Sequence, residues 1–338
     1  MNYKKLTVQE LKSICKKNHI KGYSYLKKDD LIKIIKKNLN KKKMMKGGGN
    51  EVIAKRINDD IILDKETLLE LLGDKNNNLK AIEDINFSNM NIIEIKIGTF
   101  NGLSNLKKLN LSNNKITEIK KNTFNELSNL EELNLSNNKI TKPYIINKEL
   151  KNLKIVKLSN NKITSIKTKF GCVFQNLENL DLSNNQIYEI DYNVFWNYDL
   201  ENLKILNLSN NKITSINSNL IFYGLEILEN LDLSNNQITS INNYAFDSLK
   251  NLKTLKLNNN IITSINSNLI FYGLEILENL DLSNNNIDEI SNNAFYSLKN
   301  LKILNLSNNG LGPEDIKRLS NFFLKNNKKI EIINIKNL

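Results

Sequence analysis

The sequence predicts an α/β chain: a solenoid on a curved parallel β-ladder, preceded by a small all-α domain. Three observations predict it. An eleven-residue pattern recurs ten times at near-constant spacing, its apolar residues fall two apart as on a strand, and the first 50 residues differ in charge from all that follow.

The head, residues 1–40, comes first. Residues 1–50 hold 15 of the 48 basic side chains and only three acids, Glu10, Asp29 and Asp30, so they carry +12. The whole chain is also +12, which leaves 33 basic and 33 acidic residues in balance after residue 50. Thr7-Val8-Gln9-Glu10 reads as a capping box opening a helix with Leu11, Ile14 and Cys15 inward. A loop through His19, Ile20, Gly22 and Tyr23 leads to a second helix, Leu26 to Ile35, with Leu31, Ile34 and Ile35 inward. Leu6, Leu11, Gly22, the run Leu26-Lys27-Lys28-Asp29-Asp30-Leu31 and Ile34-Ile35 together resemble the helix-extended-loop-helix modules of the SAP and Rho N-terminal type. Many of these bind DNA or RNA, and the resemblance implies contact through Lys21, Lys27, Lys28 and Lys33. No arginine stands among residues 1–50, which favours phosphate contact over bidentate base reading. Residues 1–46 are thus a candidate DNA or RNA contact. A protein-docking head, or a lysine excess that serves no partner, are the other readings. KKKMMKGGGN, residues 41–50, reads as a basic flexible linker.

Residues 51–81 are expected to form a helical cap. DKETLLELLG places Asp64 as helix cap, leucines at 68, 69, 71 and 72, and Gly73 as the stop.

Residues 82–309 are the repeats. L-x-x-L-x-L-x-x-N-x-L starts at Ile82, Leu106, Leu130, Leu153, Leu177, Leu203, Leu228, Leu252, Leu277 and Leu301. Leu109 and Leu111, two apart, share one side of a short strand, and Leu106 and Ile116 add to the same core. One such unit cannot bury this face alone, so the units stack with strands roughly 4.8 Å apart. Pattern and period resemble the typical 24-residue leucine-rich repeat, in an Asn-, Lys- and Ile-rich form like those of giant DNA viruses and amoebae. The ninth-position asparagines, from Asn114 to Asn309, fall where the chain leaves the strand and read as a buried structural ladder. Phe100, Phe124, Phe195, Phe222, Phe246, Phe271 and Phe295 read as a core spine. The outer side is expected to be irregular or short-helical. Residues Ile213 to Asn236 recur letter for letter as Ile262 to Asn285, a shift of 49.

Partners of such a solenoid are expected on its concave face. The first variable position alternates without a fault: Lys107, Glu131, Lys154, Glu178, Lys204, Glu229, Lys253, Glu278, Lys302. Neighbouring copies would place every lysine between two glutamates. A further position adds Lys157, Asp181, Asp232, Lys256 and Asp281 among asparagines. This face is striped and near neutral, unlike a nucleic-acid groove, and could equally be solvated surface selected for folding. Tyr188, Tyr192, Trp196 and Tyr198, in the 26-residue repeat, are either packing or an aromatic contact patch.

Residues 310–338 close the chain. Pro313 opens a helix with Ile316, Leu319, Phe322 and Phe323 inward, resembling the helical repeats of the ribonuclease-inhibitor and NOD-receptor type, before a final strand-like EIINIKNL.

The sole histidine, His19, has no cysteine or carboxylate cluster beside it, and Gly47-Gly48-Gly49-Asn50 lacks the Lys-Ser/Thr of a phosphate loop. No enzyme and no cofactor is expected. Cys15 and Cys172 imply no bridge, and neither a signal segment nor an apolar run of membrane length is seen, so an intracellular, cytoplasmic or nuclear, location without a membrane partner is expected. The sequence thus points to a protein-interaction scaffold, tethered to nucleic acid by its head. The alternative is an adaptor or substrate receptor whose head docks on a protein.

Overall fold

A computed structural model describes residues 6–17, 27–33, 35, 51–53, 60–142, 150–167, 175–192, 194–195, 200–325 and 330–333. Lys21, His19, the linker 41–50, Cys172, Trp196 and Tyr198 lie outside the described residues.

Twelve three-residue strands form one parallel sheet in chain order, from Glu51–Ile53 to Glu331–Ile333. The central residue of each repeat strand points inward and meets its counterpart in register, Leu109 with Leu133 and Leu206 with Leu231. The strands stop after three residues because a leucine and then a Ser-Asn-Asn turn follow, with Asn258 in place of the serine in one repeat. The first asparagine of that pair adopts positive φ, 53° to 57° at Asn113, Asn137, Asn160, Asn184, Asn210, Asn235, Asn259, Asn284 and Asn308, a conformation that asparagine tolerates better than other side chains bearing a Cβ. The second turns into the core. Asn185 Nδ2 donates to the carbonyls of Leu158, Leu182 and Ser183 at 3.0, 3.0 and 3.1 Å, and its Oδ1 accepts from Ile163 N at 3.0 Å. The same set recurs at Asn138, Asn211, Asn236 and Asn285, so one amide in each turn ties its own repeat to the one before.

The phenylalanine spine is continuous over the C-terminal half. Rings stack at 6.3 Å from Phe195 to Phe222, 5.9 Å to Phe246, 6.3 Å to Phe271 and 5.7 Å to Phe295. Phe323 of the closing helix Pro313–Lys325 extends the stack at 6.1 Å, so that helix continues the core beyond the last repeat.

The structure departs from expectation in two places. The segment 51–81 adds strands to the ladder and not only a helix. Its strand Glu51–Ile53 pairs with Asp84–Asn86, and Ile61–Leu63 pairs with Ile92–Ile95. The helix Lys65–Leu72 follows, capped by Asp64, which accepts from Thr67 N at 2.8 Å. Second, the side opposite the ladder is mostly turns, yet Ser-Ile and Glu-Ile pairs form two-residue parallel strands, Ser215–Ile216 with Ser240–Ile241 and Ser264–Ile265 with Glu289–Ile290. The isoleucine of each is buried, which holds that corner of the turn against the core.

The head has a separate small core of Leu11, Cys15, Leu31, Ile32 and Ile35. Its first helix, Val8–Lys17, opens with the expected capping box: Thr7 N and Oγ1 donate to Glu10 Oε2 at 2.7 and 2.8 Å, and Glu10 N donates to Thr7 Oγ1 at 3.3 Å. These bonds from Thr7 hold the Glu10 carboxyl below its ordinary range. Ile32 takes an inward place alongside Leu31 and Ile35; Ile34 lies outside the described residues.

Candidate binding surfaces on the strand face and the head

Each strand offers two outward positions flanking its inward residue. The sequence-marked series from Lys107 to Lys302 is not on the strands: each member stands one residue ahead of its strand, at the rim where the chain enters. There the ion pairs run one way only. Lys107, Lys154, Lys204, Lys253 and Lys302 reach Glu83, Glu131, Glu178, Glu229 and Glu278 of the preceding repeat at 2.9 to 3.1 Å. Lys107, Lys154, Lys204 and Lys253 each stand between two glutamates, as expected from the register, and every lysine of the series pairs with the one of the preceding repeat. Exposed pairs of this kind contribute about 0–1 kcal/mol each.

The first true face position is not marked by the sequence pattern. In register it reads Asp84, Lys108, Glu132, Ile155, Asn179, Ile205, Asn230, Thr254, Asn279, Ile303. No charge stands in this row between Glu132 and Glu331. From Ile155 onward a β-branched residue alternates with asparagine on every strand, and Ile205 and Ile303 are 39% and 37% exposed. The signal that points to it is the register itself: with only three residues per strand, the face consists of the positions adjoining the inward leucine.

The second face position carries Lys157, Asp181, Asp232, Lys256 and Asp281, as expected, but the aspartates are partly committed. Asp181, Asp232 and Asp281 Oδ1 each accept from the backbone N of the serine two residues on, at 3.0 Å, closing the turn out of the strand. Lys157 and Lys256 pair back to Glu132 at 2.8 Å and Asp232 at 3.3 Å. At the N-terminal end of the face, Asp84, Asn86, Lys108, Asn110, Glu132 and Asn134 line a shallow depression of about 310 Å³.

Of the aromatic patch, Tyr188 and Tyr192 are exposed at 56% and 66%. A second set lies beyond the sequence expectation. Tyr223, Tyr244, Tyr272 and Tyr296 are exposed on turns opposite the ladder, with Tyr244 edge-on to Tyr272 at 5.4 Å and Lys250 Nζ 5.8 Å from the Tyr272 ring centre. Three of them directly follow a spine phenylalanine, which is the sequence signal for them.

On the head, Lys27, Lys28 and Lys33 are exposed and flank the buried face of the second helix, residues 28–33. Among the described residues no cluster of His, Cys, Asp and Glu could hold a metal, and no helix is long and apolar enough to cross a membrane.

Known proteins match this architecture. The leucine rich repeat family model matches residues 83–140, 175–226, 201–262 and 250–311, a two-copy version matches 128–169, and the model of the Rho termination factor N-terminal domain matches 2–43. The comparison with curated proteins finds no match. Among solved structures, the functional domain of InlJ from Listeria monocytogenes is 23% identical over 76% of this chain and 54% of that one, with a TM-score of 0.54. The internalin InlF of the same species is 19% identical over 97% and 90%, with a TM-score of 0.55. A chain of the Toll–Spatzle complex of Drosophila is 21% identical over 85% and 41%, with a TM-score of 0.59. The chain thus spans about half of the InlJ domain and less of the Toll complex chain. Its head, residues 2–43, is similar to the Rho termination factor N-terminal domain, and with repeats matched over most of its length and stacked in one parallel ladder, this chain belongs to the leucine-rich repeat family.

Proposed function

We propose that the protein is a non-enzymatic interaction scaffold: the strand face from Ile155 to Ile303 holds a protein partner, and the lysine-rich head places the assembly on nucleic acid. One observation carries the first half. Seven adjoining strands present an uncharged, partly apolar row between rows of charge, so a partner meets apolar side chains alternating with amides that can hydrogen-bond to it, with polar rims to fix its position. The backbone beneath is held by the asparagine ladder, so little order has to be gained on binding. The similar chain of the Toll–Spatzle complex belongs to an assembly of two different proteins, which agrees with this reading. The head rests on the family match, its net charge and the exposure of Lys27, Lys28 and Lys33. An intracellular location is part of the proposal.

Capture from a host lysate tests the scaffold by comparing the wild type with Ile205→Lys/Ile303→Lys on the strand face and Tyr272→Ser/Tyr296→Ser opposite it. Partners that disappear only with the strand-face changes are expected; loss with neither pair, or only with the tyrosines, would refute the assignment. For the head, Lys27→Gln/Lys28→Gln/Lys33→Gln is expected to weaken binding of a mixed-sequence duplex. The slope of log K against log salt should fall by about 0.9 for each phosphate no longer neutralised. Unchanged affinity and slope would leave the head as a protein-docking module, the role an adaptor would need.

A further inference from the structure

The rim and the two face rows share one period. On odd strands the three outward residues are acid, amide, acid: Glu178, Asn179, Asp181; Glu229, Asn230, Asp232; Glu278, Asn279, Asp281. On even strands they are lysine, a β-branched residue, then lysine or asparagine: Lys154, Ile155, Lys157; Lys204, Ile205, Asn207; Lys253, Thr254, Lys256; Lys302, Ile303, Asn305. Ion pairing explains the alternation of the rim. It does not act in the middle row, where Ile155, Asn179 and Ile205 keep the alternation with no charge to pair.

The face therefore repeats every two strands, about 9.6 Å along the ladder. A polyproline II helix repeats every three residues, about 9.3 Å. The mismatch is about 0.3 Å per period and about 1 Å over the three periods from Ile155 to Ile303. An α-helix returns the same face after seven residues, about 10.5 Å, and drifts by about 2.7 Å over that distance. An extended strand returns it after about 6.8 Å and fits neither one strand step nor two.

Resting on the scaffold reading above, we propose that the partner segment is a polyproline II peptide lying along the ladder, with a cationic side chain at every third residue. Each cation falls on an acidic stripe, between a glutamate and an aspartate, as a second cation beside the rim lysine that already pairs with that glutamate. Its ring or aliphatic residues lie on Ile155, Ile205, Thr254 and Ile303. A polyproline II backbone makes no internal hydrogen bonds, so its carbonyls are available to the amides of Asn179, Asn230 and Asn279.

The test measures binding of the full chain to labelled (Pro-Pro-Lys)4, about 37 Å long. One control peptide has the same composition with irregular lysine spacing, and a second is an alanine-rich helix with lysine at every seventh position. The protein variant is Glu229→Lys/Asn230→Ile/Asp232→Lys. It gives one odd stripe the residues that even stripes carry at those places, and its urea unfolding is compared with that of the wild type so that binding is read on folded protein only. The triplet peptide is expected to bind at least tenfold more tightly than either control and to lose most of that advantage on the variant. Equal binding of all three peptides, or an advantage that survives in the variant, would overturn the proposal. No binding of any peptide would overturn it too, and the lysate experiment would then show separately whether the strand face binds a protein at all.

Discussion

The ladder asparagine ties each turn to the one before it. Removing the Asn185 side chain strands a buried N–H and several carbonyls, each costing about 1–3 kcal/mol when left unpaired, so Asn185→Ala is expected to destabilise the protein by several kcal/mol in urea unfolding. Asn309 is only partly buried in the last repeat and should cost less. Its neighbour in the pair plays another part: Asn184, at φ 55°, should tolerate glycine and lose about 1 kcal/mol or more to alanine, measured the same way. The buried ladder was legible because Asn recurs at a fixed distance from the leucines. The positive φ of the first asparagine was not, because both residues are spelled alike and only the backbone tells them apart. The middle row of the face was hidden for a related reason: Ile205 and Ile303 look like core residues until the strand is known to begin with them.

The elements that close the ladder differ in how readable they were. Helix Pro313–Lys325 announced itself through Pro313 and its spaced apolar residues, and its Phe323 indeed stacks on Phe295. The opening strand Glu51–Ile53 did not, since three residues carry no period and only pairing with Asp84–Asn86 makes them a strand. Phe246→Ala, at the middle of the spine, is expected to cost about 3–5 kcal/mol. The closing helix also has a pH signature. Asp315 accepts from Gly312 N at 3.0 Å and from Arg318 at 3.1 Å, the first bond being the larger cause, and its carboxyl is held below its ordinary value of 3.8. Folding then favours the ionised form. The stabilisation is complete above the ordinary value and is lost as pH falls through the lower, folded one. Melting temperatures of the wild type and Asp315→Asn should therefore differ at neutral pH and converge in strong acid; a constant gap would show that the carboxylate charge is not the cause.

At the scale of the molecule, a single apolar core runs from Ile61 to Phe323, so each internal turn depends on two neighbours and each end on a specialised turn. Ending the chain at Gly312 would uncover Phe295 and the edge of strand Ile303–Asn305. Such a protein is expected to elute from a sizing column as aggregates or higher oligomers, while the full chain does not. The one-way ion pairs also say something about how the chain could have grown. Glu229 with Lys253 and Glu278 with Lys302 each close within one 49-residue block, and neither pair crosses the junction between blocks. Removing residues 213–261 would join Lys212 to Ile262 in the same local sequence and keep the signs in step, whereas excising a single repeat would set Lys204 against Lys253. Length in this protein comes in steps of two turns.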